Sequence, residues 1–303
     1  MKEKIELAAP AKINLYLKVT GRRDDGYHSL ATLMQKIRLY DHVVLQRAAA
    51  GITVNCPDSD LPVDDNNLVF RAARTFLRAL SPRHHTGVDI TLCKNIPIAA
   101  GLGGGSSDAA AVLCGLNALF SAGFSREKLV DLGRRLGADV PLFVVDWPAA
   151  WATGIGDILQ RAVPLSGYLL VLVNPGIPLS AAWVYQKYAL TRDEKKINLK
   201  SYQNEICGAG AGHDAGRSIR LEKLYNDLEG VAAAAYPVVN QMKARLLEEG
   251  AVAALMSGSG LTVFGLFSEQ DRDRAVTCRD VLQREYPYTY LAAPCSNDEP
   301  AGQ

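Results

Sequence analysis

Pro97-Ile98-Ala99-Ala100-Gly101-Leu102-Gly103-Gly104-Gly105-Ser106-Ser107-Asp108 packs four glycines into positions 101–105 and then changes character, because Ser106 to about Phe120 is a run of small and apolar residues suited to a helix. Glycine admits positive φ and lets a ligand approach the backbone without meeting a Cβ. A helix that starts behind such a loop offers N–H groups with no intrahelical acceptor and the positive end of its dipole. The combination is a cradle for an anion, most naturally a polyphosphate. A flexible connector leading into a capped helix is the plainer alternative, and the paired serines at the helix start weigh against it.

Other phosphate loops fail on spelling. A G-x-G-x-x-G fingerprint needs glycine where Ser106 stands, and a Walker A loop needs a Gly-Lys pair that the chain lacks. The H-R-D and D-F-G elements of protein kinases are absent, and neither Ser106 nor Ser259 sits in a G-x-S-x-G elbow.

Upstream, Ile13, Leu15, Leu17 and Val19 alternate with Lys12, Asn14, Tyr16 and Lys18, which predicts a half-buried strand over 12–19. The polar turn Gly21–Gly26 follows, then strand-like stretches at Met34–Leu39 and His42–Gln46. Leu68, Ala72, Phe76 and Leu80 form an apolar stripe with Arg71, Arg74 and Arg78 opposite, so an amphipathic helix with a solvated arginine face is expected over 67–80. Val88–Cys93 reads as a strand, Arg126–Leu136 as a helix, and Leu142–Val145 and Tyr168–Val173 as strands. Asn198–Ser218 is Gly-, Ala- and Ser-rich without a period and reads as a loop or insertion. A helix at Tyr236–Glu249, a strand at Ala251–Met256, the turn Ser257–Gly260, a strand at Leu261–Phe267, a helix at Gln270–Arg284 and a strand at Tyr288–Leu291 complete the series. This mixture predicts an α+β fold in two domains, residues 1–163 and 164–295, with a disordered tail at 296–303.

Thirty-three Lys and Arg against 32 Asp and Glu leave no global field to draw the chain to nucleic acid or an anionic membrane, so neither is expected as a partner. The longest uncharged run, Ala162–Gln186, is broken by Pro164, Pro175 and Pro178, which is wrong for a lipid-exposed helix. Six scattered cysteines form no C-x-x-C pair, and the N-terminus has no apolar signal core; free thiols and a cytoplasmic protein are expected.

The loop at Pro97–Ser107 resembles the ATP loop of the GHMP kinases, a family of small-molecule kinases. Pro10-Ala11-Lys12-Ile13-Asn14-Leu15, Asp25-Gly26-Tyr27-His28, Gly137-Ala138-Asp139-Val140-Pro141, Leu224-Tyr225-Asn226-Asp227-Leu228-Glu229 and Ser257–Gly260 match further family motifs in order, so the likeness runs from about Ala9 to Leu291. The resemblance implies an N-terminal domain like ribosomal protein S5, a ferredoxin-like C-terminal domain, and an active site between them in a monomer or homodimer. It implies ATP as co-substrate, bound by Pro97 through Ser107, with Mg2+ carried on the ATP and Ser107 or Asp108 near it; no dedicated metal cluster is expected. Asp139 would accept the proton from the substrate hydroxyl. Lys12 would sit beside it, steering the hydroxyl and countering charge on the phosphoryl group. From spacing alone Asp139 reads rather as a turn residue before a strand, and Lys12 as an outward strand lysine. For a cytidylyl sugar alcohol, Tyr27 and His28 would hold the cytosine and Asn14 the same ligand as Lys12, with Tyr185 across the base. Asn66, Asn67 and Leu68 would border the adenine. Homoserine and sugar kinases, and decarboxylases of the diphosphomevalonate type, are the alternatives within the superfamily. Ala99 and Ala100 stand where the family loop often has glycine, which alanine tolerates unless φ is positive.

Overall fold

The computed structural model describes residues 2–57, 59–80, 87–189, 199–207 and 218–297. The N-terminal half runs β1 (Lys4–Arg22), β2 (His28–Ala48), β3 (Ile52–Asn55), α1 (Leu68–Ala79), β4 (Gly87–Cys93), α2 (Gly104–Leu119), α3 (Arg126–Arg134), α4 (Val140–Val144), β5 (Ala149–Thr153) and β6 (Ile158–Arg161). Then come β7 (Tyr168–Asn174), α5 (Ala181–Ala189), α6 (Leu199–Cys207), β8 (Tyr225–Asn226), α7 (Glu229–Ala235), α8 (Val238–Glu248), β9 (Ala253–Met256), β10 (Val263–Ser268), α9 (Arg272–Leu282) and β11 (Tyr288–Ala292). Among the described residues the strands form two sheets. One has the order β3-β4-β2-β1-β8, with β5 pairing β2 and β6; the other is β11-β7-β10-β9. No described helix is long and apolar enough to cross a membrane.

The β1–β2 hairpin turns at Asp24–Tyr27, where Gly26 has φ +84° and Asp25 Oδ1 accepts the Tyr27 amide at 3.1 Å. The alternation in β1 is as expected, but both faces are covered. Ile13 and Leu15 pack with Leu170, Leu172, Phe264 and Leu266 of the second sheet, while Lys12 and Asn14 lie buried on the other side. A register shift between Asn14 and Tyr16 ends the alternation, and Tyr16 joins the same core as Ile13, 5.4 Å from the Tyr202 ring.

α1 is capped by Asn67, whose Oδ1 accepts the Val69 amide at 2.9 Å, and it buries Val69, Ala72, Ala73 and Phe76. Its arginine row faces away from that stripe, and Arg74 pairs with Asp65.

Two expectations are corrected, and three elements, β5, β6 and α7, had no counterpart in the sequence reading. Leu142–Val145 is no strand: Val140–Val144 is the short helix α4, with Pro141 in its first turn, where a missing N–H costs little. The strands β5 and β6 follow it unannounced, too short to carry a readable period. Leu199–Cys207 is helical inside the stretch read as a loop, and residues 208–217 lie outside the described residues. The helix read over 236–249 is α8, and a further short helix, α7, precedes it unannounced, the two separated at Tyr236–Pro237 because proline cannot continue the first. The tail read as disordered lies outside the described residues from 298 onward.

Ala99 has φ +54°, so the alanine departure in the glycine loop falls where a Cβ is unwelcome. The left-handed conformation costs a non-glycine residue about 1–2 kcal/mol, and glycine's extra unfolded-state entropy returns roughly half of that. Ala99→Gly is therefore expected to stabilise the protein by about 0.5 kcal/mol. A urea midpoint that falls at unchanged m would contradict this.

Candidate active site

Two cavities share Ser106. The first, about 330 Å³, has the glycine loop 97–105 along one side and Leu61, Asn66, Asn67, Leu68 and Lys94 along the others. The second, about 580 Å³, is lined by Lys12, Asn14, Thr32 and Asp139 together with Tyr27, His28 and Tyr185. The sequence-predicted residues thus separate into two groups that meet at the start of α2.

That start is built for an anion. Gly103 precedes α2 with φ +71°, and the Ser107 amide donates to the Gly103 carbonyl at 2.9 Å, which leaves the amides of Gly104, Gly105 and Ser106 ahead of the helical ladder. The loop is fixed from behind. Lys12 N donates to the Leu102 carbonyl at 2.9 Å, and Ser257 Oγ donates to the Gly101 carbonyl at 3.1 Å while accepting the Asn14 amide at 3.3 Å. A Cβ on Gly101 would lie 2.3 Å from the Ser257 carbonyl oxygen, and one on Gly260 2.2 Å from the Ala100 carbonyl carbon. The turn 257–260 therefore packs backbone to backbone against the glycine loop, and only glycine permits the approach. Asn226 Nδ2 donates to the carbonyls of Met256 and Gly258, both at 2.8 Å, and holds that turn in place.

Lys12 is buried, with Nζ 2.6 Å from Asn14 Oδ1 and 3.4 Å from Asp139 Oδ2. Asn14 Nδ2 donates to Thr32 Oγ1 at 2.8 Å, and Thr32 donates to the Tyr16 carbonyl at 2.6 Å. This relay fixes the Asn14 amide so that its oxygen meets the ammonium. Asp139 is the N-cap residue of α4, yet its side chain makes no cap hydrogen bond, and it is one-third exposed toward the cavity. A carboxylate and an ammonium from distant parts of the chain thus converge beside a helix N-terminus. Such a pair can deprotonate a hydroxyl and stabilise charge moving onto a phosphoryl group.

Ser107 is the exception among the loop residues. Its side chain is buried in a third cavity on another face of α2, because successive helical residues point about 100° apart. It does not line the nucleotide-sized cavity.

At the other group, His28 stacks on Tyr185 with centroids 5.4 Å apart and planes at 22°. A ring between them would need two stacking spacings, about 9 Å, so the sandwich expected from sequence is instead a two-ring platform. Tyr27 beside it is 62% exposed. Burial pushes the Tyr185 phenol well above its ordinary range, and the Asp139 charge adds to the effect.

Sequence reasoning missed a charge cluster under the loop. Lys94 pairs with Asp41, and with Asp108 at 2.8 Å, while Asp41 Oδ1 accepts the amides of Asn95 at 2.6 Å and Ile96 at 2.8 Å. Burial pushes the Asp108 carboxyl up; Lys94 opposes this and Asp41 adds to it. Burial works against the Lys94 charge, but the two carboxylates outweigh it and its pKa rises. A lysine between a strand end and the loop was the available signal. Thr32 had none, since it acts through partners far away in sequence, and Asn226 was marked only as part of the 224–229 motif, with no sign of its hold on the turn 257–260.

The sequence profile "GHMP kinases N terminal domain" matches residues 67–146, and "GHMP kinases C terminal" matches 207–287. The 4-diphosphocytidyl-2-C-methyl-D-erythritol kinase of Syntrophotalea carbinolica is 46% identical over 268 residues, covering 88% of this chain and 91% of that protein. The enzyme of the same name from Desulfotalea psychrophila is 45% identical over 265 residues, 87% of this chain and 86% of its own length. A crystal structure of a 4-(cytidine 5'-diphospho)-2C-methyl-D-erythritol kinase superposes with a TM-score of 0.76 at 33% identity, covering 97% of this chain and all of that one.

Proposed function

This chain belongs to the GHMP kinase family, and from that premise we propose that it transfers the γ-phosphoryl group of ATP to the 2-hydroxyl of 4-diphosphocytidyl-2-C-methyl-D-erythritol, in isoprenoid precursor synthesis. The relatives that carry this activity by name align with nearly nine-tenths of the chain. The observation that carries the reading is the 3.4 Å approach of Lys12 and Asp139 in the cavity that also holds the His28–Tyr185 platform.

ATP lies in the first cavity, its adenine among Asn66, Asn67 and Leu68 and its phosphates on the amides at the start of α2. The cytosine of the acceptor rests against His28 and Tyr185, with Tyr27 at its side. The 2-hydroxyl donates its proton to Asp139 as its oxygen bonds to the γ-phosphorus, and ADP departs. Lys12, oriented by Asn14, neutralises charge on the oxygens in flight.

A divalent cation fits here as a passenger on ATP. Asp108 Oδ1 is buried in the first cavity without a partner, and with the Ser106 hydroxyl it offers the oxygen donors such a cation prefers. No described group of three or more His, Cys, Asp or Glu could hold a metal, so the triphosphate and water would complete the set. Bound Mg2+ would supply neutralisation of the polyphosphate charge. We place the boundary between the two domains at 163/164, and six cysteines outside any disulfide suit the cytoplasm.

A coupled ADP-release assay decides the substrate. The cytidylyl sugar alcohol should stimulate turnover, and stimulation by homoserine or mevalonate diphosphate instead would reassign it. Tyr185→Ala should raise KM for the cytidylyl substrate about tenfold, the worth of one lost ring contact, with KM for ATP unchanged. An equal rise in both would remove Tyr185 from base recognition.

A further inference from the structure

A third cavity, about 510 Å³, lies between α2, the β1–β2 pair and residues 143–148, and the phosphoryl transfer described above makes no use of it. Its walls are largely apolar, with Leu7, Ala111, Phe143 and Trp147 among them. Lys36 is set in this lining at 8% exposure, and its Nζ donates to the Val145 carbonyl at 2.6 Å. Among the described residues that is its one hydrogen bond, and no carboxylate reaches salt-bridge distance. An ammonium has three donors, and a buried charge is costly unless paired. Ser107 Oγ, in a residue 1% exposed, lines the same cavity and also lacks a partner. Two deeply buried polar groups therefore share a cavity whose described residues leave the Ser107 hydroxyl without a partner and the Lys36 ammonium with one partner for three donors.

The surrounding charges do not supply the missing acceptor. Asp146 is engaged by Arg126, Arg38 is exposed and adds positive charge, and the Tyr40 phenol lies against Cys295 Sγ. Burial pushes the Lys36 ammonium down to about 8, opposed by Cys295, Asp146 and Cys114 and reinforced by Arg126, so at neutral pH it still carries its charge. Burial raises the thiols of Cys114, to about 11, and of Cys295.

We propose that this cavity is a second ligand site, for a small organic acid whose anionic end pairs with Lys36 and Ser107 and whose apolar body lies along Phe143 and Trp147. Carboxylates and phosphate monoesters share the required chemistry. The occupant would rest against both helices of the phosphoryl-transfer site, α4 behind Asp139 and α2 behind the glycine loop. The inference is independent of which hydroxyl the enzyme phosphorylates.

The test is calorimetric titration of the full chain with benzoate and, separately, phenyl phosphate, with saturating Mg·ADP filling the nucleotide cavity. The wild-type protein should bind at least one probe, and the stronger of the two identifies the headgroup. Lys36→Met should weaken that binding about tenfold or more, the scale of a lost charge-assisted hydrogen bond. Should Lys36→Met fail to fold, the wild-type pH series decides. Benzoate stays ionised throughout, so its affinity should be full below about pH 8 and fall above it as Lys36 loses its proton. No binding of either probe, unchanged affinity in Lys36→Met, or a flat pH series would overturn the proposal and leave Lys36 to water alone.

Discussion

Asp139→Asn is expected to lower kcat about a thousandfold, the middle of the range for a positioned general base, while ATP binds as before. Asparagine keeps the size and shape of aspartate but cannot take a proton. Asp139 makes no cap hydrogen bond to α4, so the exchange leaves that helix's start unchanged and weakens only the 3.4 Å contact with Lys12. It lines the cavity of Tyr27 and His28 and not that of the glycine loop, which is why nucleotide affinity is spared. Steady-state ADP release gives kcat, and calorimetry with a non-hydrolysable ATP analogue gives affinity. A rate within a few-fold of wild type would show that solvent takes the proton. Loss of nucleotide binding together with rate would instead mean that the Lys12–Asp139 contact shapes the whole site. Lys12 would keep its 2.6 Å hydrogen bond to Asn14, so the variant isolates the carboxylate's chemistry from the lysine's position.

The contrast between these two residues explains how much of the site the sequence carried. Lys12 and Asp139 were named because each sits in a motif of the family, and the structure brings them to 3.4 Å. Spacing alone pointed the other way, since 127 positions separate them and a strand lysine or a turn aspartate is unremarkable by itself. The glycine loop was legible on physical grounds, because four glycines before a helix have few other uses. α4 was not: five apolar residues fit a strand or a buried helix equally, and only the proline in the first turn separates the two. The stacking of His28 on Tyr185 was illegible for another reason. It depends on how α5 approaches the start of β2, which no local pattern encodes. The burial of Lys36 was hidden in the same way, since alternation along β2 says nothing of what covers each face.

Gly101→Ala is expected to disrupt the molecule strongly. Its Cβ would sit 2.3 Å from the Ser257 carbonyl oxygen and 2.8 Å from the Gly260 amide nitrogen, and its φ of +81° already excludes most side chains. Both neighbours are backbone, so no side-chain rotation relieves the clash. Left-handed strain of about 1–2 kcal/mol and overpacking of about 1–3 kcal/mol together cost roughly 3 kcal/mol. The alternative to paying it is to part the glycine loop from the turn 257–260. Parting breaks the Ser257–Gly101 and Asn14–Ser257 hydrogen bonds beside Lys12. Either route shows, as a lowered urea midpoint or as lost kcat and a raised KM for ATP in a still-folded protein. Gly105→Ala supplies the comparison. Nothing lies within 4 Å of its Cβ, and Gly105 is in the first turn of α2, so folding stability should be unchanged within about 0.5 kcal/mol. Its methyl would project into the cavity assigned to the phosphates, so KM for ATP should rise all the same. If Gly101→Ala leaves stability, KM and kcat intact, the two loops are not locked together. If Gly105→Ala leaves KM for ATP unchanged, the triphosphate does not lie on the start of α2.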